Sequence, residues 1–149
     1  MGPGARMTFS EMVSRKLDKP YSKGSVGEAS YDCLGLVLSS CWERKMYCPD
    51  HFKDWNLSNY AEYYTKDLKA AIGTCIEFFD SFMERVSGKV AGDVMLVSQP
   101  NGTRYVAIYA GNGQAISCFI KTGVQTFQLD EGNVTEIVWR PKCQQPQQQ

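Results

Sequence analysis

Histidine is almost missing from this chain: His51 is the single one in 149 residues. The six cysteines (Cys33, Cys41, Cys48, Cys75, Cys118 and Cys143) contain no C-x-x-C pair. A metal site built from Cys and His has little to draw on, so no metal and no cofactor is expected. Charge of one sign is not in excess either, with 16 Lys plus Arg against 16 Asp plus Glu. A balanced chain leaves no electrostatic footprint for nucleic acid or for an anionic membrane. No apolar run approaches the ~18 residues that a bilayer span needs. The N-terminus does not show the charged, apolar and small-residue regions of a signal peptide in order. Nucleic acid and membrane are therefore not expected partners. Cysteine is also too sparse for a disulfide scaffold, and free, mostly buried thiols in a reducing compartment are expected.

What is present fits one globular domain, at roughly 100–200 residues per domain. Residues 1–7, Met1-Gly-Pro-Gly-Ala-Arg-Met7, read as a cloning scar ahead of the native start. Residues 144–149 are a Gln-rich polar tail, expected to be disordered. Residues 8–143 form the domain. Thr8 or Ser10 caps a short first helix with Met12, Val13 and Leu17 on its apolar face. Lys19-Pro-Tyr-Ser-Lys-Gly24 turns the chain. Asp32 caps a second helix from Cys33 to about Lys45, apolar nearly all round and so expected to be buried. Tyr47 to Asn59 reads as irregular, and Ala61 to about Val86 as helical, with Gly73 a possible division.

From Gly88 the period changes to two. Strands are expected over 93–97, 104–109, 114–120, 124–129 and 134–140, with a hairpin at Ala110-Gly-Asn-Gly113. Helices first and an antiparallel meander second is the order of an α+β domain, here with a sheet of about five strands. Trp42, Phe78, Phe79 and Phe82 read as core. The aromatic-rich stretch holding Asp54, Trp55, Tyr60, Tyr63 and Tyr64 reads equally as an interface or as packing over the core.

The most informative segment is Tyr31-Asp-Cys-Leu-Gly-Leu-Val37. A Cys in the first turn of a buried helix sits where backbone N–H groups and the helix dipole favour a thiolate. Gly35 removes a side chain beside the sulfur, so that a carbonyl can approach. On this spacing alone, a small core residue is still the simpler reading of Cys33.

A second segment joins it downstream: Gly92-Asp-Val-Met-Leu-Val97, then Tyr105-Val-Ala-Ile-Tyr-Ala-Gly-Asn-Gly113, then Ala115-Ile-Ser117. Together, from about Lys19 to Ile120, these resemble the NlpC-type peptidoglycan peptidases, small papain-like cysteine enzymes. That family carries its nucleophile in a D-C-x-G-L-V segment at a helix start. Its base is a His in H-V-G-I-Y-x-G-N-G, and a third polar residue, often His, lies on the next strand. The resemblance implies a papain-like α+β fold with Cys33 at the nucleophile position and Asp32 as its neighbour and cap. Tyr21, Asp32 and Gly35 would line the cleft.

The base position falls on Tyr105 and the orienting position on Ser117, so both His positions are replaced. A phenol with an acid constant near ~10 is a poor proton acceptor at neutral pH. His51 lies beyond the far end of the helix that Cys33 opens and reads as a loop or surface residue. Within the family, D-C-L-G-L-V and the acidic, aromatic stretch Asp50–Tyr64 look most like the tail-associated peptidases of long-tailed phages and gene-transfer particles. That implies a degenerate, inactive domain serving as a tail-tip component. Its partners would be other tail proteins, as ring or hub subunits, in a virion assembled in the host bacterial cytoplasm. The alternative is an active murein endopeptidase that cuts peptidoglycan stem peptides through Cys33 to aid DNA entry. A third is a binding module using the groove near Tyr21, Cys33 and Tyr105.

Overall fold

The computed structural model describes residues 8–27, 29–53, 55–56, 58–62, 68–129 and 132–143. The leading segment 1–7, the Gln-rich tail, Asp54, Tyr63 and Tyr64 lie outside the described residues. Helix α1 spans Phe9–Lys16 and starts in a full capping box: the Glu11 N–H donates to Thr8 Oγ1 at 3.2 Å and the Thr8 N–H to Glu11 Oε1 at 3.3 Å. Met12 is buried, as its place on the helix dictates. Leu17 is not: it leaves the helical backbone as the C-cap and stays 37% exposed. Lys16 takes the interior place instead. Its stem is buried and its ammonium donates to the Tyr31 hydroxyl and to Glu43 Oε1, both at 2.8 Å. A buried Lys is tolerable only with such partners.

Helix α2 spans Cys33–Glu43, and every residue from Leu34 to Cys41 is buried. The next segment, expected to be irregular, carries a small hairpin, β1 (His51–Phe52) with β2 (Trp55–Asn56). Helix α3 spans Leu68–Phe82, passing through Gly73 without a break. Ala71, Ile72, Cys75, Phe78, Phe79 and Phe82 are buried along it, at helical spacing on one face. The expected helix to Val86 stops four residues early. Glu84–Arg85 is pulled into a strand, β3, by pairing with Arg140 and Trp139.

The remaining strands are β4 (Val94–Ser98), β5 (Arg104–Gly111), β6 (Gln114–Phe119), β7 (Gly123–Gln128) and β8 (Val134–Arg140). With β3 they make one antiparallel sheet of six in the order β3-β8-β4-β5-β6-β7, one more than the sequence period reveals. Asn112 and Gly113 both take left-handed backbone (φ 55° and 77°), the two-residue turn that joins right-twisted strands without splaying them.

Alternation along the strands sorts two clusters onto the two faces. Val94, Leu96, Val106, Ile108, Ile116 and Cys118 pack with the helices. Met95, Val97, Ala107, Ala115, Leu129 and Val138 form a smaller cluster on the other face. The start of α2 therefore meets β5 on the helix side of the sheet.

Candidate functional site

The site is built where α2 begins. Asp32 holds three pieces of chain together. Its carboxylate accepts the Gly35 N–H at 2.6 Å, capping α2, and the Gly24 N–H at 2.8 Å, fixing the preceding turn. It also accepts the Tyr60 hydroxyl, which lies 2.8 and 2.9 Å from its two oxygens. Asp32, Gly35 and Tyr60 are all buried, whereas Tyr21 and Cys33 keep part of their surface. Gly35, expected to leave room for an incoming carbonyl, makes room for the chain's own. A Cβ at this position would stand 2.0 Å from the Ser25 carbonyl oxygen. The turn is closed further by the Asp32 N–H on the Ser25 carbonyl at 3.0 Å and the Ser22 N–H on the Tyr31 carbonyl at 2.9 Å.

Cys33 is half-buried at the first position of α2, packed against the helix-side core. The backbone N–H groups of Leu34 and Val106 favour the thiolate. Burial opposes them and prevails, followed by the charge of Asp32 and the neighbouring Cys75. Together these push the thiol up from 9.0 to about 12. The expected thiolate-favouring helix start is thus outweighed. Burial likewise lifts Tyr21 to about 12, with Asp32, Cys33 and Cys118 adding to it. Burial, then Asp32, raises Cys118 to about 11, and its thiol donates to the Tyr31 carbonyl at 3.1 Å. Asp32 is itself raised by burial, against the pull of its Gly35, Tyr60 and Gly24 donors.

The two residues at the family's His positions are placed elsewhere. Tyr105 lies on β5 with its ring against Phe119 and Phe127, centroids 5.7 and 5.8 Å apart. Its hydroxyl donates to Asn133 Oδ1 at 3.1 Å. It packs with the cluster on the face opposite the helices, whereas Cys33 packs with the helix side. Ser117 is buried on β6 and donates to the Val106 carbonyl at 2.8 Å. Among the described residues no hydrogen bond joins Cys33 to Tyr105 or Ser117. His51 stands on β1 with its side chain 73% exposed and its Nδ1 3.0 Å from Asp50 Oδ1. The strand group that favours the Cys33 thiolate is the Val106 N–H, one residue along from Tyr105.

Tyr60 and Ser25 are parts of this site that no motif in the sequence marks. Both act on Asp32 and Gly35 from other parts of the chain, and no local spacing signals such contacts.

Comparison with known proteins bears on the same fold. The model of the NlpC/P60 family matches residues 18–143. The chain belongs to the NlpC/P60 family. Solved structures similar to this NlpC/P60 domain include the NlpC/p60 domain of peptidoglycan hydrolase SagA, with 16% identity and a TM-score of 0.53, covering 89% of this chain and 95% of that one. NlpC1 from Trichomonas vaginalis has 17% identity and a TM-score of 0.60, covering 89% of this chain and 43% of that one. An NlpC/P60 family protein from Bacillus cereus has 15% identity and a TM-score of 0.59, covering 91% and 40%. Identities this low speak for the fold alone. No curated protein sequence matches the chain. The papain-like α+β architecture read from the two motifs is the observed one.

Proposed function

We propose that this NlpC/P60 domain is catalytically silent and serves as a structural component of a phage tail tip, seated among other tail proteins as a ring or hub subunit. Its virion would be assembled in the host bacterial cytoplasm. The observation that carries the reading is the thiol of Cys33. It is pushed up to about 12, while the residues at the two His positions spend their hydroxyls on Asn133 and the Val106 carbonyl. Losing a general base costs ~10²–10⁴-fold, and the members of a catalytic unit fail together. The tail assignment rests on the D-C-L-G-L-V segment from Asp32 to Val37 and on the acidic, aromatic stretch that follows α2.

The first test incubates the purified protein, and its Cys33→Ala variant, with soluble peptidoglycan stem-peptide fragments and follows products by mass spectrometry. Neither should release product. Turnover by the parent protein that vanishes in Cys33→Ala would overturn the silent reading. The second test carries Cys33→Ala into the particle that encodes the chain. Particles should form normally and contain the protein; particles that lack it would overturn the tail role.

One observation favours a second reading, an active murein endopeptidase working through a Cys33 thioester. Cys33 keeps part of its surface, and two backbone N–H groups favour its thiolate. That enzyme would show hydrolysis rising steeply toward alkaline pH as the thiol ionises unaided, and zero turnover across pH would remove it.

A further inference from the structure

The sheet face away from Cys33 carries two adjoining cavities of about 330 and 490 Å³. They share Lys89 and Thr135, so they form one elongated groove rather than two separate dimples. Each is within the size range of small-ligand sites. The larger one is walled by Lys89, Tyr109, Asn112, Gln128, Asn133 and Thr135, over a floor that includes Leu129. It gathers the end of the β5–β6 hairpin, the end of β7 and the start of β8.

The lining is chemically specific. Three side-chain amides and a threonine hydroxyl face one space, and each such group both donates and accepts. Vicinal sugar hydroxyls have the same double character. The Tyr105 hydroxyl occupies Asn133 Oδ1, which orients that amide and leaves its NH₂ for the groove. Lys89 stands at the junction of the two cavities, its ammonium 5.9 Å from the Tyr109 ring centroid. It makes no ion pair among the described residues. Arg85, in the smaller cavity, is already held by Asp80 through two bonds of 2.7 and 2.8 Å. The larger cavity thus offers neutral hydrogen-bonding groups, with the Lys89 ammonium where it meets the smaller one. The carboxylate that lines the smaller one, Glu136, is held by Arg104 at 3.0 Å.

We propose that this groove binds a short acidic oligosaccharide, its hydroxyls on Asn112, Gln128, Asn133 and Thr135 and a carboxylate on Lys89. The site is independent of whether Cys33 reacts, because it lies on the opposite face of the sheet.

The test titrates ¹⁵N-labelled protein with trigalacturonate and maps the amide shifts. Saturable shifts at Gly113, Gln128, Asn133 and Thr135 are expected. Lys89 is exposed, so Lys89→Ala leaves the fold intact and should weaken binding about tenfold, the loss of one charge-assisted contact. Gln128→Ala should weaken it by a smaller factor, and neutral maltotriose should bind more weakly than trigalacturonate. No shift at about 10 mM ligand, where even millimolar affinity saturates, would overturn the proposal. So would shifts centred on Tyr21 and Cys33. Equal binding of a triglutamate peptide would overturn the saccharide assignment, leaving a general anion site.

Discussion

At pH 8 an ordinary cysteine thiol, with its acid constant at 9.0, is about one-tenth thiolate. Cys33, at about 12, is thiolate in about one molecule in 10⁴. The difference in reactive fraction is about 10³. A more basic thiolate is intrinsically more nucleophilic, with a Brønsted coefficient of about 0.4–0.5, which recovers about 16–32-fold. Alkylation of Cys33 by iodoacetamide should therefore run about 30–60-fold slower than that of N-acetylcysteine at pH 8, before any loss from partial burial. The assay is timed alkylation with peptide mass spectrometry, which separates Cys33 from the other five thiols. The rate should climb tenfold per pH unit with no plateau below about pH 11. A Cys33 that reacts as fast as the free thiol at pH 8, or a plateau near neutral pH, would refute the electrostatic reasoning. Either result would require a cation or base at the sulfur.

Three further outcomes follow from the same geometry. Gly35→Ala puts a Cβ 2.0 Å from the Ser25 carbonyl, so the turn must move and the Asp32 cap with it. The cost is roughly 2–4 kcal/mol, read as a fall in the urea midpoint, and a loss under about 1 kcal/mol would contradict the close approach. Cys33, Tyr21 and Cys118 all hold their protons more tightly in the fold than in the open chain. Their stabilising contribution is therefore complete below about pH 9 and is lost as pH rises through about 11–12. Urea midpoints should fall over that window and fall less in Cys33→Ser, whereas a flat profile to pH 11 would count against the raised values. Tyr105→Ala removes two ring contacts and the bond to Asn133, at roughly 2–3 kcal/mol. It should leave the Cys33 alkylation profile unchanged, and a changed profile would mean that Tyr105 reaches the thiol.

Features that rest on local chemistry are legible in the residues alone. Thr8 and Asp32 cap helices because their side chains bond N–H groups three residues on, and such a bond is written in spacing. Asn112-Gly113 sets a hairpin because both residues accept left-handed backbone. The period of two marked five strands because each has a buried side, and the two motifs together carried the family. Tertiary structure alone decided the rest. Lys16 is interior and Leu17 is not, because partners from residues 31 and 43 arrive at the last turn of α1. β3 exists only because β8 lies beside it. Gly35 is required by a carbonyl ten residues earlier, and Tyr60 is required by Asp32. Above all, the state of the Cys33 thiol is a sum over burial, Asp32, Cys75 and the N–H groups of Leu34 and Val106. Spacing near Cys33 names the cap and the dipole, but burial, the largest contribution, does not exist until the chain has closed over the sulfur.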